Sequence, residues 1–280
     1  MKYSCCCSRP TFALIFISFL FLSFTSLLPI CIACSCEVDL TGDEIPFGYI
    51  EGTGKGPSEW GNIRPDWKVC NTGKLQSPID LLDGRVQVTS NLGELKRDYN
   101  AAPAVLKNRG YDISVSWEED AGKIIINETD YKVIQCHWHS PSEHTFNGSR
   151  LELEIHIVHQ SASGKNAVIG IVYKYGLPDP FLSRLLPHII TLGKNERPIG
   201  IVNPEEIMFG SREYYRYNGS LTTPPCTEGV VWTIFKKVRT ASREQVQALR
   251  DAVDDGYEAN ARPTQALNGR PVWLYTPSKN

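Results

Sequence analysis

Apolar and polar side chains alternate with a period of two along several stretches of this chain, which is the spacing of half-buried strands. Leu151, Leu153, Ile155 and Ile157 share one face, and Glu152, Glu154, His156 and Val158 share the other. Ile113, Val115 and Trp117 alternate, as do Val230, Trp232 and Ile234. Tyr131 to His139 is rich in strand-forming residues, Lys123 to Ile126 makes a short strand, and Ala167 to Tyr173 is an unbroken apolar run. Helical spacing is scarce. Phe181, Leu185 and Ile189 keep one helical face, and Ser242 with Gln245 forms a capping box before Val246, Leu249 and Val253, with Gly256 as the stop. The pattern therefore predicts a mostly stranded fold with few helices.

The amino terminus carries a different pattern. Lys2 and Arg9 precede a run from Phe12 to Ala33 broken mainly by Ser and Thr, the shape of a secretory signal peptide over residues 1–33. Cys31 and Ala33 supply small residues for cleavage before Cys34, and the run is long enough to act as an anchor if it is kept. Residues 34–280 contain no repeat, low-complexity tract or Pro/Gly/Ser linker, so they read as one domain. A chain of 280 residues that is 41% hydrophobic has ample material for its core. Loss of Lys2 and Arg9 takes the 29 basic residues to 27 against 31 acidic ones, a net charge of −4, which argues against nucleic acid as a partner.

Charge and composition say little about chemistry; the histidines say more. Five of the six fall between Gln135 and Gln160, and the sixth is His188. In an extended segment His137 and His139 point the same way. His156 lies on the mixed polar face of the next expected strand, beside Glu154. If the two strands pair, three neutral imidazoles converge, the ligand set of a catalytic zinc site with its fourth position open. Gln135 and Glu154, each two residues before a ligand, are placed to accept the spare ring N–H and fix the tautomer. His144 and His159 read as structural, His159 lying on the apolar face opposite His156. The string from His139 to His144 is H-x-x-x-E-H interrupted by Pro141, which fails the helical spacing of zinc peptidases. Cys136 alternates away from the ligands and reads as a small core residue.

Far downstream, Tyr217 to Trp232 reads YNGSLTTPPCTEGVVW. Together with the histidine block it closely resembles the α-class carbonic anhydrases, particularly the plant forms made with a leader. Lys55-Gly56-Pro57, Glu59-Trp60-Gly61, Gln76-Ser77-Pro78-Ile79-Asp80, Ser142-Glu143-His144-Thr145, Ala167-Val168-Ile169-Gly170 and Asn260-Ala261-Arg262-Pro263 agree in order, so the resemblance spans Phe47 to Tyr275. It implies a mainly β (α+β) single domain: a large, mostly antiparallel twisted sheet with short peripheral helices, and one zinc ion at the base of a cone. The implied activity is reversible hydration of CO₂ to bicarbonate by zinc-hydroxide attack, with His137, His139 and His156 as ligands. By position, Thr222 and Glu143 orient the hydroxide, Thr223 lines the bicarbonate site, and Val158, Val168, Leu221 and Trp232 form an apolar wall. Tyr49 joins the solvent network, while Asn260 and Arg262 support the site from behind.

One departure concerns Tyr111, which stands where the most active relatives carry a proton-shuttling histidine. A relay works best with a pKa near ambient pH, and tyrosine near 10 is far from it. A storage or secreted protein of low activity on the same scaffold is therefore the alternative. Cys70 and Cys226 occupy the positions of the family's extracellular disulfide. Cys5, Cys6, Cys7 and Cys31 leave with the leader, and Cys34 and Cys36 lie near the new terminus. The sequons at Asn127 and Asn147 look like turns suited to glycans, while that at Asn218 falls in the active-site block. The leader and sequons predict entry into the secretory route, ending outside the cell, in an endomembrane compartment or in a plastid reached from there. No stable membrane span is expected after cleavage.

Overall fold

Thirteen strands hydrogen-bond into one sheet in the computed structural model, which describes residues 46–277. The expectations for the leader, Cys34 and Cys36 lie outside the described residues. The strands are β1 (Asp80–Leu81), β2 (Gln87–Thr89), β3 (Lys96–Tyr99), β4 (Ala102–Asn108), β5 (Ile113–Trp117), β6 (Gly122–Ile126), β7 (Thr129–His139), β8 (Thr145–Phe146), β9 (Ser149–Arg150), β10 (Leu153–Ser161), β11 (Asn166–Tyr175), β12 (Glu196–Val202), β13 (Tyr214–Ser220), β14 (Glu228–Phe235), β15 (Arg239–Ala241) and β16 (Trp273–Tyr275). The large sheet runs β12-β4-β5-β7-β10-β11-β14-β13-β16-β2, with β15 on β11 and β6 bridging β3 to β7, while β1, β8 and β9 form a small sheet of their own. Pairing in the large sheet is antiparallel except for β11 with β14, β11 with β15, and β16 with β2. The fold is the mainly stranded one that the pattern predicts, with a mixed sheet.

Helices are short and few. Besides α1 (Trp60–Ile63) and α2 (Val69–Thr72), there are α3 (Pro180–Ile190) and α4 (Arg243–Ala252). Asp179 caps α3 by accepting from Leu182 N–H, and Ser242 and Gln245 make the expected capping box of α4. That helix stops at Ala252, short of Gly256, because Val253 already turns into extended backbone. The second histidine strand likewise begins at Leu153 instead of Leu151, since the Leu151 carbonyl accepts from Ser142 N–H outside the sheet.

The central strands are covered on both faces. On one, Cys136, Trp138, Ile155, Ile157, Ile169 and Ile171 pack with Phe181, Leu185, Val246 and Leu249 of the two longer helices. On the other, Val168, Tyr217, Val230, Trp232 and Ile234 make a second apolar group with the half-buried Val158 and Leu221. Burying each large side chain contributes about 1.5–3 kcal/mol, so the sheet is a firm base for polar groups set into it. Phe47, Trp60, Trp67 and the Cys70–Cys226 disulfide form a third cluster, against which Tyr49 and Tyr111 lean.

Candidate metal centre

The facing direction of the histidines depends on a β-bulge. In the β7–β10 ladder His159 pairs with Val133, but Val158 pairs with Gln135, so Ile134 is an extra residue without a partner. Tyr131 and Val133 face the core before it; after it the phase reverses, so that Cys136 and Trp138 continue the core while Gln135, His137 and His139 turn to the opposite side. Beyond the bulge the register sets Ser114, His137, His156 and Gly170 side by side on four adjacent strands, and His139 opposite Glu154. The three imidazoles meet there. Ring centroids of His137, His139 and His156 are 4.5–5.3 Å apart, and one nitrogen of each lies within 4.8 Å of the other two.

The remaining nitrogen of each ring is committed. His137 Nδ1–H donates to Gln135 Oε1 at 3.0 Å, His156 Nε2–H to Glu154 Oε1 at 2.8 Å, and His139 Nδ1–H to the Asn260 carbonyl at 2.8 Å. Each hydrogen bond fixes a tautomer and leaves His137 Nε2, His139 Nε2 and His156 Nδ1 as lone-pair donors. Gln135 and Glu154 are thus the side-chain acceptors of the His137 and His156 rings. The acceptor for His139 is a main-chain oxygen, which side-chain identity does not reveal. Burial pushes the His137 pKa well below the usual imidazole value, helped by Arg109 and the two neighbouring rings, and burial likewise outweighs Glu154 in lowering that of His156. Neutral imidazoles are what a metal needs.

Glu154 is the hub behind the ligands. Its Oε2 accepts from the backbone N–H of Glu143 and His144, both at 2.8 Å, and its Oε1 accepts from His144 Nδ1–H at 2.7 Å as well as from His156. Burial opposes its ionisation, yet these donors hold its pKa well below the carboxylate range. With Nδ1 donating, His144 Nε2 must accept, and Tyr217 O–H donates to it at 2.8 Å. His144 is therefore structural in a specific sense: it orients the carboxylate that orients His156. Gly170 is tied to the same point, because a Cβ there would lie 2.6 Å from Ile234 Cδ1 and 3.0 Å from Glu154 Oε1.

A cavity of about 180 Å³ opens over His137 and His156, lined also by Arg109, Tyr111, Asp112, Gln135, Val158, Val168, Leu221, Thr222, Thr223 and Trp232. Every residue expected in the substrate pocket is in this wall. Glu143 and His139 lie beneath it, fully buried. Glu143 Oε1 accepts from Arg262 N–H at 2.9 Å, whereas Oε2 has no hydrogen-bond partner and sits 3.6 Å from His139 Nε2, itself unpartnered. Two adjacent orphaned buried polar atoms beside converging lone pairs fit a bound cation, and borderline-soft imidazole donors suit zinc. The second His/Glu group, formed by His144, Glu154 and His156, is satisfied by its own hydrogen bonds and needs no ion. Arg262 also donates to Gln76 Oε1 and to the carbonyls of Ser77 and Cys70, and Asn260 Nδ2–H donates to the Tyr111 carbonyl, so both brace the site from behind. The Tyr49 hydroxyl is buried without a partner.

A stranded domain whose central sheet sets three histidines, placed to hold one metal ion, beneath a partly apolar cavity has the α-carbonic anhydrase architecture. Residues 55–276 match the model of the eukaryotic-type carbonic anhydrases, and the chain belongs to that family. It is 54% identical over 260 residues to alpha carbonic anhydrase 4 of Arabidopsis thaliana, covering 93% of this chain and 94% of the relative. Among solved structures it superposes on dioscorin complexed with ascorbate, with a TM-score of 0.82 and 44% identity over 85% of this chain and all of that one. The α-carbonic anhydrase of Thermovibrio ammonificans in complex with sulfanilamide gives a TM-score of 0.74 at 34% identity, covering 81% of this chain and 98% of that one.

Proposed function

We propose that the protein catalyses the reversible hydration of carbon dioxide to bicarbonate and a proton, using one zinc ion per chain held by His137, His139 and His156. The observation that carries this reading is the convergence of three ring nitrogens, each freed by a fixed acceptor on the far side of its ring. Zinc bound by three neutral imidazoles supplies a nucleophile at neutral pH, by lowering the pKa of a coordinated water toward the value near 7 known for carbonic anhydrases.

The chain's own groups do the rest. Glu143 has one oxygen occupied by Arg262, so its Oε2 is left for the Thr222 hydroxyl; a Thr222 that donates there can only accept from the nucleophile, which aims it at carbon. Thr223 receives the product. Val158, Val168, Leu221 and Trp232 offer a linear uncharged molecule a wall that does not compete for it by hydrogen bonding. Tyr111 is a poor proton relay: burial raises its phenol pKa further, against the opposing pull of Arg109, so fewer than roughly one molecule in a thousand is ionised at pH 7.

The test is stopped-flow CO₂ hydration on metal-quantified protein across a buffer series. One zinc per chain, and a turnover that rises with imidazole-type buffers, are expected; absence of stoichiometric metal overturns the reading. The half-buried Tyr111, a poor relay, also favours a second reading, a secreted or storage protein of low activity, which predicts bound zinc with hydration near the solution rate in every buffer. Secretory entry belongs to both readings. Among the described residues no helix is long and apolar enough to cross a membrane.

A further inference from the structure

The cavity wall carries a charged pair that the hydration of a neutral molecule does not need. Arg109 and Asp112 stand three residues apart in the turn between β4 and β5, and both line the cavity with Tyr111. Arg109 Nε–H donates to Asp112 Oδ1 at 2.6 Å and its Nη2–H to Oδ2 at 2.5 Å, so the carboxylate takes one full edge of the guanidinium. The Asp112 side chain is 1% exposed and that of Arg109 31% exposed, which places the negative member behind and the positive member toward the opening. The plane is fixed as well, since the guanidinium carbon lies 5.0 Å from the Tyr111 ring, which rests in turn on Phe47 at 5.2 Å.

The turn does not depend on this pair. Asn108 Nδ2–H already donates to the Gly193 and Ala252 carbonyls, its Oδ1 accepts from Gly110 N–H, Arg109 N–H donates to the Asp112 carbonyl, and Asp254 N–H to that of Gly110. A buried ion pair is also weak as a stabiliser, because desolvation offsets most of the attraction. What it leaves in the cavity is specific: the outer edge of Arg109, formed by Nη1 and the second N–H of Nη2, which has no acceptor among the described residues. Two parallel N–H groups in a fixed plane match two coplanar oxygens.

We propose that Arg109, poised by Asp112 and Tyr111, is an anion-binding group in the cavity wall that takes small planar oxyanions, bicarbonate and short carboxylates among them. An anion docked on the outer edge is closer to the guanidinium than to the carboxylate behind it, so attraction exceeds repulsion although the pair is formally neutral. Under the proposed reaction this residue biases the site toward bicarbonate over CO₂. Direct binding of a carboxylate does not require that reaction, so failure of one leaves the other standing.

The probe is acetate, titrated calorimetrically into the full zinc-loaded protein, with the bicarbonate KM in dehydration and the CO₂ KM in hydration as a second readout. Arg109→Gln with Asp112→Asn, which leaves no stranded carboxylate, is expected to weaken acetate about tenfold and to raise the bicarbonate KM by a similar factor relative to the CO₂ KM. Arg109→Lys keeps the charge but not the planar pair of N–H donors and is expected to lose several-fold in acetate affinity. Asp112→Asn alone removes the opposing charge and strengthens acetate several-fold, a direction that a purely structural role for the pair does not produce. Acetate affinity within twofold of the parent in Asp112→Asn overturns the proposal, as does unchanged affinity in a folded double variant; if the double variant does not fold, Asp112→Asn decides alone.

Discussion

The Tyr111 phenol faces the metal-centre cavity with its ring held between Arg109 and Phe47. Because burial raises its pKa, a histidine there would exchange a proton far more readily without touching the ligands or the apolar wall. Tyr111→His is therefore expected to raise kcat roughly ten- to a hundredfold at pH 7 while kcat/KM for CO₂ stays within about twofold, as read by stopped flow at low buffer. Equal gains in both parameters would mean the substitution acts on CO₂ capture instead. At this scale the sequence is informative where chemistry is local. His137 and His139 can be read as co-facing from their spacing, and Gln135 and Glu154 as their neighbours' acceptors, because alternation relates i to i+2. Asn260 is 121 residues from His139, and the atom that matters there is a carbonyl oxygen common to every residue type. No side-chain pattern announces it. Arg109 was likewise silent, since its meaning comes from which edge Asp112 leaves open.

Elements were legible by their periods and their arrangement was not. Alternation locates β5, β10 and β14, and the unbroken apolar run locates β11, which is buried on both faces as such a run implies. Which strand pairs with which, and the three parallel pairings, depend on contacts between segments remote in the chain. The bulge at Ile134 is the instructive miss: strict alternation from Tyr131 would put the histidines on the face of Val133, and one unpaired residue reverses them. The helix ends show the same division between local caps and distant ties. Gln245 completes the capping box of α4, and its side chain also accepts from Asp179 N–H at 2.8 Å and donates to the Asp179 carbonyl and to Ser183 Oγ, clamping the start of α3. Gln245→Ala strands these buried groups and is expected to cost about 2–4 kcal/mol, against about 1 kcal/mol for Ser242→Ala, which loses only a cap. Urea midpoints of the two variants make the comparison, and equal losses would show that the clamp between the helices adds nothing.

For the molecule as a whole, two covalent and protonic constraints set its working range. The Cys70–Cys226 bridge spans 156 residues, and its Cys226 end follows directly on the Thr222–Thr223 loop, whose Thr223 carbonyl accepts from Cys226 N–H. On the chain-entropy view it stabilises the fold by up to about 5 kcal/mol. Replacing both cysteines with serine should lower the thermal midpoint steeply and loosen that loop, so that activity falls even below the melting range. The protonic constraint comes from imidazoles folded as neutral groups. His159 is buried against Tyr99, whose hydroxyl is 2.7 Å from its Nε2, and burial pushes its pKa from 6.5 to about 3. Below about pH 6.5 the unfolded chain takes up a proton at this site and the folded chain does not, so stability is full above that pH and declines as pH falls toward 3. His159 alone removes about 2 kcal/mol by pH 5, with a slope near 1.4 kcal/mol per pH unit. His137 and His156, lowered in the same direction, add to the decline, and their protonation would compete with the zinc of the proposed site. His159→Gln keeps a partner for Tyr99 and does not titrate; its unfolding free energy, measured in urea between pH 7 and pH 4.5, should fall with a slope shallower by about one proton. Parallel curves for the variant and the parent would place the acid sensitivity in other groups, His137 and His156 first among them.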